Sequence, residues 1–187
     1  MGFFSLITGA LGFLFFVSFQ QKGYQLPQFF EHSAQLGAPL LLVWVLYRTS
    51  NPARVLRGVK VLVAITFLCH GLYAFGWPYP RPPHFVEMVT HSLGVTEAFA
   101  HPFLTSAGLL DFLVVLLLFV PRASRVALWY CVAWGALTSL ARIAANVEVE
   151  DFASTLSRWW WETAVRTPHA LLPLVGLMLM RAKTAMA

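Results

Sequence analysis

VLRGVKVLVAITFLCHGLYAFGWPYPRPPH, residues 55–84, decides the fold of this chain. Residues 55–77 carry only two formal charges, Arg57 and Lys60, both near the start of the run. As a helix the run is roughly 35 Å long, enough to cross the roughly 30 Å hydrocarbon core of a bilayer. The stretch WPYPRPP, 77–83, then removes backbone donors and disfavours helical φ/ψ, so it predicts an extended cap outside the span. One end is basic and the other holds His70, Trp77 and the prolines. That asymmetry orients the rest.

Working outward, further apolar runs cover 3–19, 29–47, 102–120, 126–147 and 168–180. With 55–77 they predict an all-α integral membrane protein, a single polytopic domain of six transmembrane helices spanning 1–187. Composition agrees: 58% of the 187 residues are hydrophobic and 11% charged, and mean hydropathy is +0.68. A soluble domain of this size could not bury that much apolar surface, so lipid is its solvent. The formal charge of +5 belongs to loop arginines and implies no nucleic-acid partner. Cys69 and Cys131 fall inside spans near opposite faces, too far apart to bridge. The first run lacks both a basic n-region and a small-residue cleavage site, so it is expected to remain as a helix.

Charge sets the orientation. With the amino terminus cytoplasmic, the inner loops hold Arg48, Arg54, Arg57, Lys60, Arg122, Arg125, Arg181 and Lys183 and no acid. The outer loops hold Lys22, Arg81, Arg158 and Arg166 with seven carboxylates. Short cytoplasmic loops retain lysine and arginine, so six spans with both termini inside follow. Localisation in a bacterial inner (cytoplasmic) membrane is expected. All six histidines, His32, His70, His84, His91, His101 and His169, then fall in the outer loops or the outer thirds of spans. Neutral imidazole ligates metals and haem and titrates near neutrality.

Two outer segments are predicted to lie along the interface: 84–101, with a break at Gly94, and 148–167, which ends in the Trp159-Trp160-Trp161 cluster. The first contains Glu87-x3-His91 and Glu97-x3-His101. Residues four apart share a helical face, so with His84 they form either a candidate metal set or satisfied pairs on a polar face. A second constellation is His32, His70 and His169 at the outer ends of three spans. They form either a cofactor-binding site or histidines hydrogen-bonded at the aqueous boundary. The third is the intramembrane polar pair Asp111 and Arg142 on neighbouring helices, with Thr138 and Ser139 at Asp111's level. It is either an ion pair locking two helices or a protonatable carboxylate on a path. The tryptophans fit an interfacial belt.

FLCHGLYAFG, AGLLDFLVVLLLFVP and WYCVAWGALTSLAR resemble the corresponding helices of the DoxX-like membrane proteins over about residues 61–177. That resemblance implies a four-helix module, here preceded by two further spans, linked to quinone-dependent or thiol redox partners. RWWWETAVRTPH, 158–169, resembles the tryptophan-rich outer segment of the haem-handling proteins of cytochrome c maturation, although its tryptophans are adjacent and its acid is Glu162. These readings converge on a redox-associated membrane subunit with an outward-facing site for haem b or quinone. His70, His169 and His32 would line it, with Arg142 near a quinone oxygen or haem propionate. Metal is the less favoured ligand, for want of any short metal-ligand spacing. Its partners would be the lipid bilayer and other membrane or periplasmic redox proteins. The alternatives are a non-catalytic accessory or assembly subunit and a small transporter.

Overall fold

The computed structural model describes the backbone of residues 2–48 and 51–185 and the side chains through residue 182; the side chain of Lys183, counted above, lies outside that set. The regular structure of the described residues is all helical, with no strand among them: α1 (Gly2–Gln21), α2 (Leu26–Phe30), α3 (Ser33–Tyr47), α4 (Pro52–Phe75), α5 (Pro83–Leu93), α6 (Glu97–Leu117), α7 (Ser124–Ala144), α8 (Phe152–Arg166) and α9 (Pro168–Ala185). Five segments are long and apolar enough to cross a membrane: α1, α4, α6, α7 and the Val149–Ala182 stretch that contains α8 and α9. Helix α3 is shorter and also apolar. Large apolar side chains such as Phe3, Leu6, Phe13, Leu116 and Met178 are more than 60% exposed, the surface a bilayer would cover. This is the fold of a helical membrane protein.

Local chemistry marks the helix ends. Asn51 caps α4 by accepting from the Ala53 N–H at 2.9 Å, with Pro52 in the first turn where its missing donor is harmless. The helix stops at Gly76, whose φ of 87° suits a residue without a Cβ. Arg81 folds back from the proline-rich loop and donates to Ala74 O at 2.9 and 2.7 Å and to Phe75 O at 3.2 Å. It supplies both donors and positive charge to the free carbonyls of α4.

The interfacial helix expected over 84–101 is shorter. It stops at Gly94, in the left-handed conformation (φ 63°), and Glu97–His101 form the first turn of α6. The span expected at 102–120 therefore starts earlier. The expected 29–47 run divides into α2 and α3, leaving Glu31 and His32 in the turn ahead of the apolar helix.

Consecutive long helices alternate in direction. Ala34 N donates to Thr66 Oγ1 at 3.0 Å between α3 and α4, and Tyr130 lies beside Asp111 between α7 and α6. Glycines allow the closest crossings. A Cβ on Gly108 would stand 2.7 Å from Phe75 N and 2.8 Å from Gly71 O, and one on Gly135 would stand 2.5 Å from His169 O. Without the aqueous hydrophobic drive, helices in lipid associate through such backbone-level packing. A core of Val59, Val63, Phe67, Leu118, Leu128, Cys131, Leu172 and Leu177 fills the half of the bundle away from His70. The alternation brings the carboxyl ends of α4 and α7 to the amino ends of α3 and α9, where the polar groups gather.

Candidate functional site

A cavity of about 250 Å3 opens at this end, walled by Lys22, Gln28, Glu31, His32, His70, Tyr73, Pro82, His84, Phe85, Arg142, Glu162, Arg166 and His169. Six helices and three connections supply these groups, which are distant in sequence. A second, largely apolar cavity of about 560 Å3 adjoins it beneath α5, between α6 and α7, with Met88, Val89, Phe103, Leu104, Trp134 and Leu137 in its wall. His70, Phe85, Arg142, Arg166 and His169 border both.

The four histidines are not equivalent. His169 has Nδ1 3.0 Å from Arg166 O and Nε2 3.3 Å from Glu31 O, so each ring nitrogen faces a carbonyl. His32 stacks on Phe15 at 3.8 Å and 7°, its Nδ1 takes the Gln35 amide at 3.3 Å, and its Nε2 is 3.4 Å from Glu31 Oε1. Burial, reinforced by Arg166, pulls His32 down to about 3, so it is neutral and donates from Nε2. His70 meets His169 edge-to-face at 5.3 Å and Phe85 at 6.1 Å, and among the described residues no hydrogen bond occupies its nitrogens. His84 packs edge-on to Phe85 at 5.0 Å and has no hydrogen-bond partner among the described residues either. Burial first, and Arg142 next, hold His84 at about 4. Two imidazoles serve the wall and two face the cavity free.

Charge enters from the α1–α2 turn, α7, α8 and the α2–α3 turn. Glu162 Oε2 lies 3.8 Å from Arg142 Nε and 3.5 Å from an Arg166 Nη1. The Arg142 Nε is buried without a hydrogen bond. Glu31 accepts from Gln28 Nε2 at 2.9 Å, and its side chain is 13% exposed. Burial pushes its carboxyl up to about 7, against the opposing pull of Arg166, Arg142 and Lys22.

His32, His70, His169 and Arg142, singled out from the sequence, share one cavity wall. His84 joins them, whereas Glu87, His91, Glu97 and His101 are exposed outside it. His101 Nδ1 accepts instead from Arg81 at 2.7 Å. Among the described residues, no three His, Cys, Asp or Glu side chains are grouped to hold a metal ion. The Asp111–Arg142 ion pair does not form. Asp111 accepts from the Tyr130 hydroxyl at 3.0 Å, Arg142 turns to Glu162, and Thr138 and Ser139 bond within α7 and to Arg166 O. Asp111 sits beside Gly71, one residue from His70. Glu162 and Arg166 were missed by the sequence reading, although their four-residue spacing on a predicted amphipathic helix was a usable sign. Lys22 and Gln28 carried no sign.

No protein-family model, no curated protein and no solved structure matches this chain.

Proposed function

We propose that the chain is a six-span, redox-associated membrane subunit that holds the head of a membrane quinone in this cavity, with both termini cytoplasmic and the histidines outward. The observation that carries the reading is the junction of a polar chamber with an apolar one across a shared wall of His70, Phe85, Arg142, Arg166 and His169. Ligand sites combine an apolar body with a few fixed polar groups, and chambers of this size suit one amphiphile. His70, His84 and Arg142 would bond the ring oxygens, and the space under α5 would take the tail. The DoxX-like resemblance points to the same ligand class. Electrons would pass to or from a partner protein, because no nucleotide-binding loop is present in the sequence.

Haem b fits the residues less well. A bis-histidine pair needs two lone pairs facing each other, and neither His169 nor His32 has an open ring nitrogen: a carbonyl stands against each nitrogen of His169, which has one N–H to donate, and His32 faces Gln35 and Glu31. The test is an oxidised-minus-dithionite-reduced spectrum of detergent-purified protein, with quinone titration on the same sample. Saturable binding of a short-tailed quinone, lost in His70→Ala, is expected. A Soret band would replace quinone with haem, and neither signal would refute both.

A further inference from the structure

Arg142 and Arg166 approach a single carboxylate, Glu162 Oε2, from 3.8 and 3.5 Å, and both border the junction between the two chambers. The whole polar chamber has three cations, Lys22, Arg142 and Arg166, against two carboxylates, Glu31 and Glu162. Lys22 is exposed and its charge is solvated. The two guanidiniums are not: their side chains are only 13% and 23% exposed, and Arg142 Nε has no hydrogen bond. A buried cation short of its partner is costly, and guanidinium matches planar oxyanions through paired N–H donors. Immediately behind these groups lies the apolar chamber, about 560 Å3 in volume, which runs under α5 past Val89, Leu93, Leu137 and Leu140. Leu93, Leu137 and Leu140 are themselves more than half exposed on the outer surface, so the chamber wall reaches the lipid-facing side of the bundle.

We propose that the junction is an oxyanion site for a single-chain anionic amphiphile, its carboxylate or phosphate between Arg142 and Arg166 and its hydrocarbon chain in the chamber beneath α5. The inference shares the cavity with the quinone reading but rests on the arginine–Glu162 geometry. It gives the site a second ligand class, one that competes with a neutral head. Glu31 sets the opposing charge across the polar chamber, so the anion binds more tightly as Glu31 holds its proton. A headgroup with one hydrocarbon chain is favoured over a two-chain lipid because one chamber of this volume accommodates one drug-sized body.

The experiment uses the full chain in detergent and follows intrinsic tryptophan fluorescence, with Trp134→Phe assigning the change to Trp134, which borders the apolar chamber. Oleate is titrated beside oleyl alcohol, its neutral isostere, with a monoacyl phosphate and inorganic phosphate as further arms. The expected result is oleate at least tenfold tighter than the alcohol. Arg142→Gln and Arg166→Gln should each remove most of that ratio, with an unchanged helical circular dichroism spectrum showing that the variants fold. Val89→Trp, which fills the chamber, should weaken oleate and alcohol alike and preserve their ratio. Tighter monoacyl phosphate than oleate would assign a phosphate head within the same site, and inorganic phosphate binding alone would overturn the role of the chain. Equal affinity for oleate and alcohol, or an unchanged ratio in both arginine variants, would overturn the proposal. A short-tailed quinone that binds where oleate does not leaves the quinone reading intact and removes this one; the converse removes the quinone reading.

Discussion

Replacing Glu31 by glutamine tests the electrostatics of the cavity directly. The substitution preserves the oxygen that accepts from Gln28 Nε2 at 2.9 Å and removes only the titration. Native Glu31 keeps its proton to about 7, against an ordinary 4.5. At about 1.4 kcal/mol per pH unit, that interval corresponds to about 3 kcal/mol. Between pH 4.5 and 7 the folded chain binds more protons at this position than the unfolded chain, so the Glu31 contribution to stability falls as pH rises. It is fully favourable below 4.5 and fully lost above 7. Other groups border the same space: Lys22 in the turn after α1, His70 on α4, Arg142 on α7, Glu162 and Arg166 on α8, and His169 on α9, with His32 and His84 beside them. His32 and His84, depressed to about 3 and about 4, work in the opposite sense and make stability rise with pH up to about 6.5. Comparing variant with wild type at each pH isolates Glu31. The expected result, from denaturant or thermal unfolding in detergent between pH 4.5 and 8, is that Glu31→Gln gains about 3 kcal/mol relative to wild type across that range. Parallel curves would refute the argument that burial dominates the nearby arginines.

Gly135→Ala forces a Cβ to within 2.5 Å of His169 O, so α9 must shift. Overpacking of this kind costs about 1–3 kcal/mol, and ligand affinity should fall with it; unchanged stability and binding would show the α7–α9 contact to be looser. Tyr130→Phe leaves Asp111, 1% exposed, without its hydrogen-bond partner. A loss of about 1–3 kcal/mol is expected in wild type and much less in an Asp111→Leu background, read by a double-mutant cycle. For the orientation, a cysteine at exposed Glu150 should react with a membrane-impermeant maleimide applied from outside, and one at exposed Arg122 should not. Cys69 and Cys131 are buried and should stay silent in the parent chain. The reverse labelling pattern would invert the topology.

Hydropathy made the long apolar helices legible because it operates one segment at a time. The meeting of His32, His70, His169 and Arg142 follows from them with little more: once helices alternate, the carboxyl ends of α4 and α7 must lie with the amino ends of α3 and α9. Partner choice was another matter. The pairing of Asp111 with Arg142 rested on counting residues from assumed span ends, whereas helix packing sets Asp111 against Gly71 and Tyr130. The true neighbour of Arg142 is Glu162, on a helix whose tilt over the bundle no apolar pattern encodes. Likewise the Glu-x3-His spacing of Glu97 and His101 is real, but Gly94 ends α5 before them and Arg81 captures His101.

The same physics says which of the gathered residues carry information about a ligand. A polar side chain enclosed at the end of a helical bundle must find a partner or be costly, so most of those found there have one. His169 lies between two carbonyls and has one N–H to donate to them, and His32 joins Gln35 to Glu31; protein groups stand at every ring nitrogen of these two. His70 and His84 are half-buried and the Nε of Arg142 is buried, and none of them is accounted for in that way. Histidine content alone could not separate the two groups, since both lie on the same side of the chain's hydropathy profile. The unspent hydrogen-bonding capacity on one wall, with an apolar chamber behind it, is what makes the cavity a site rather than a packing defect.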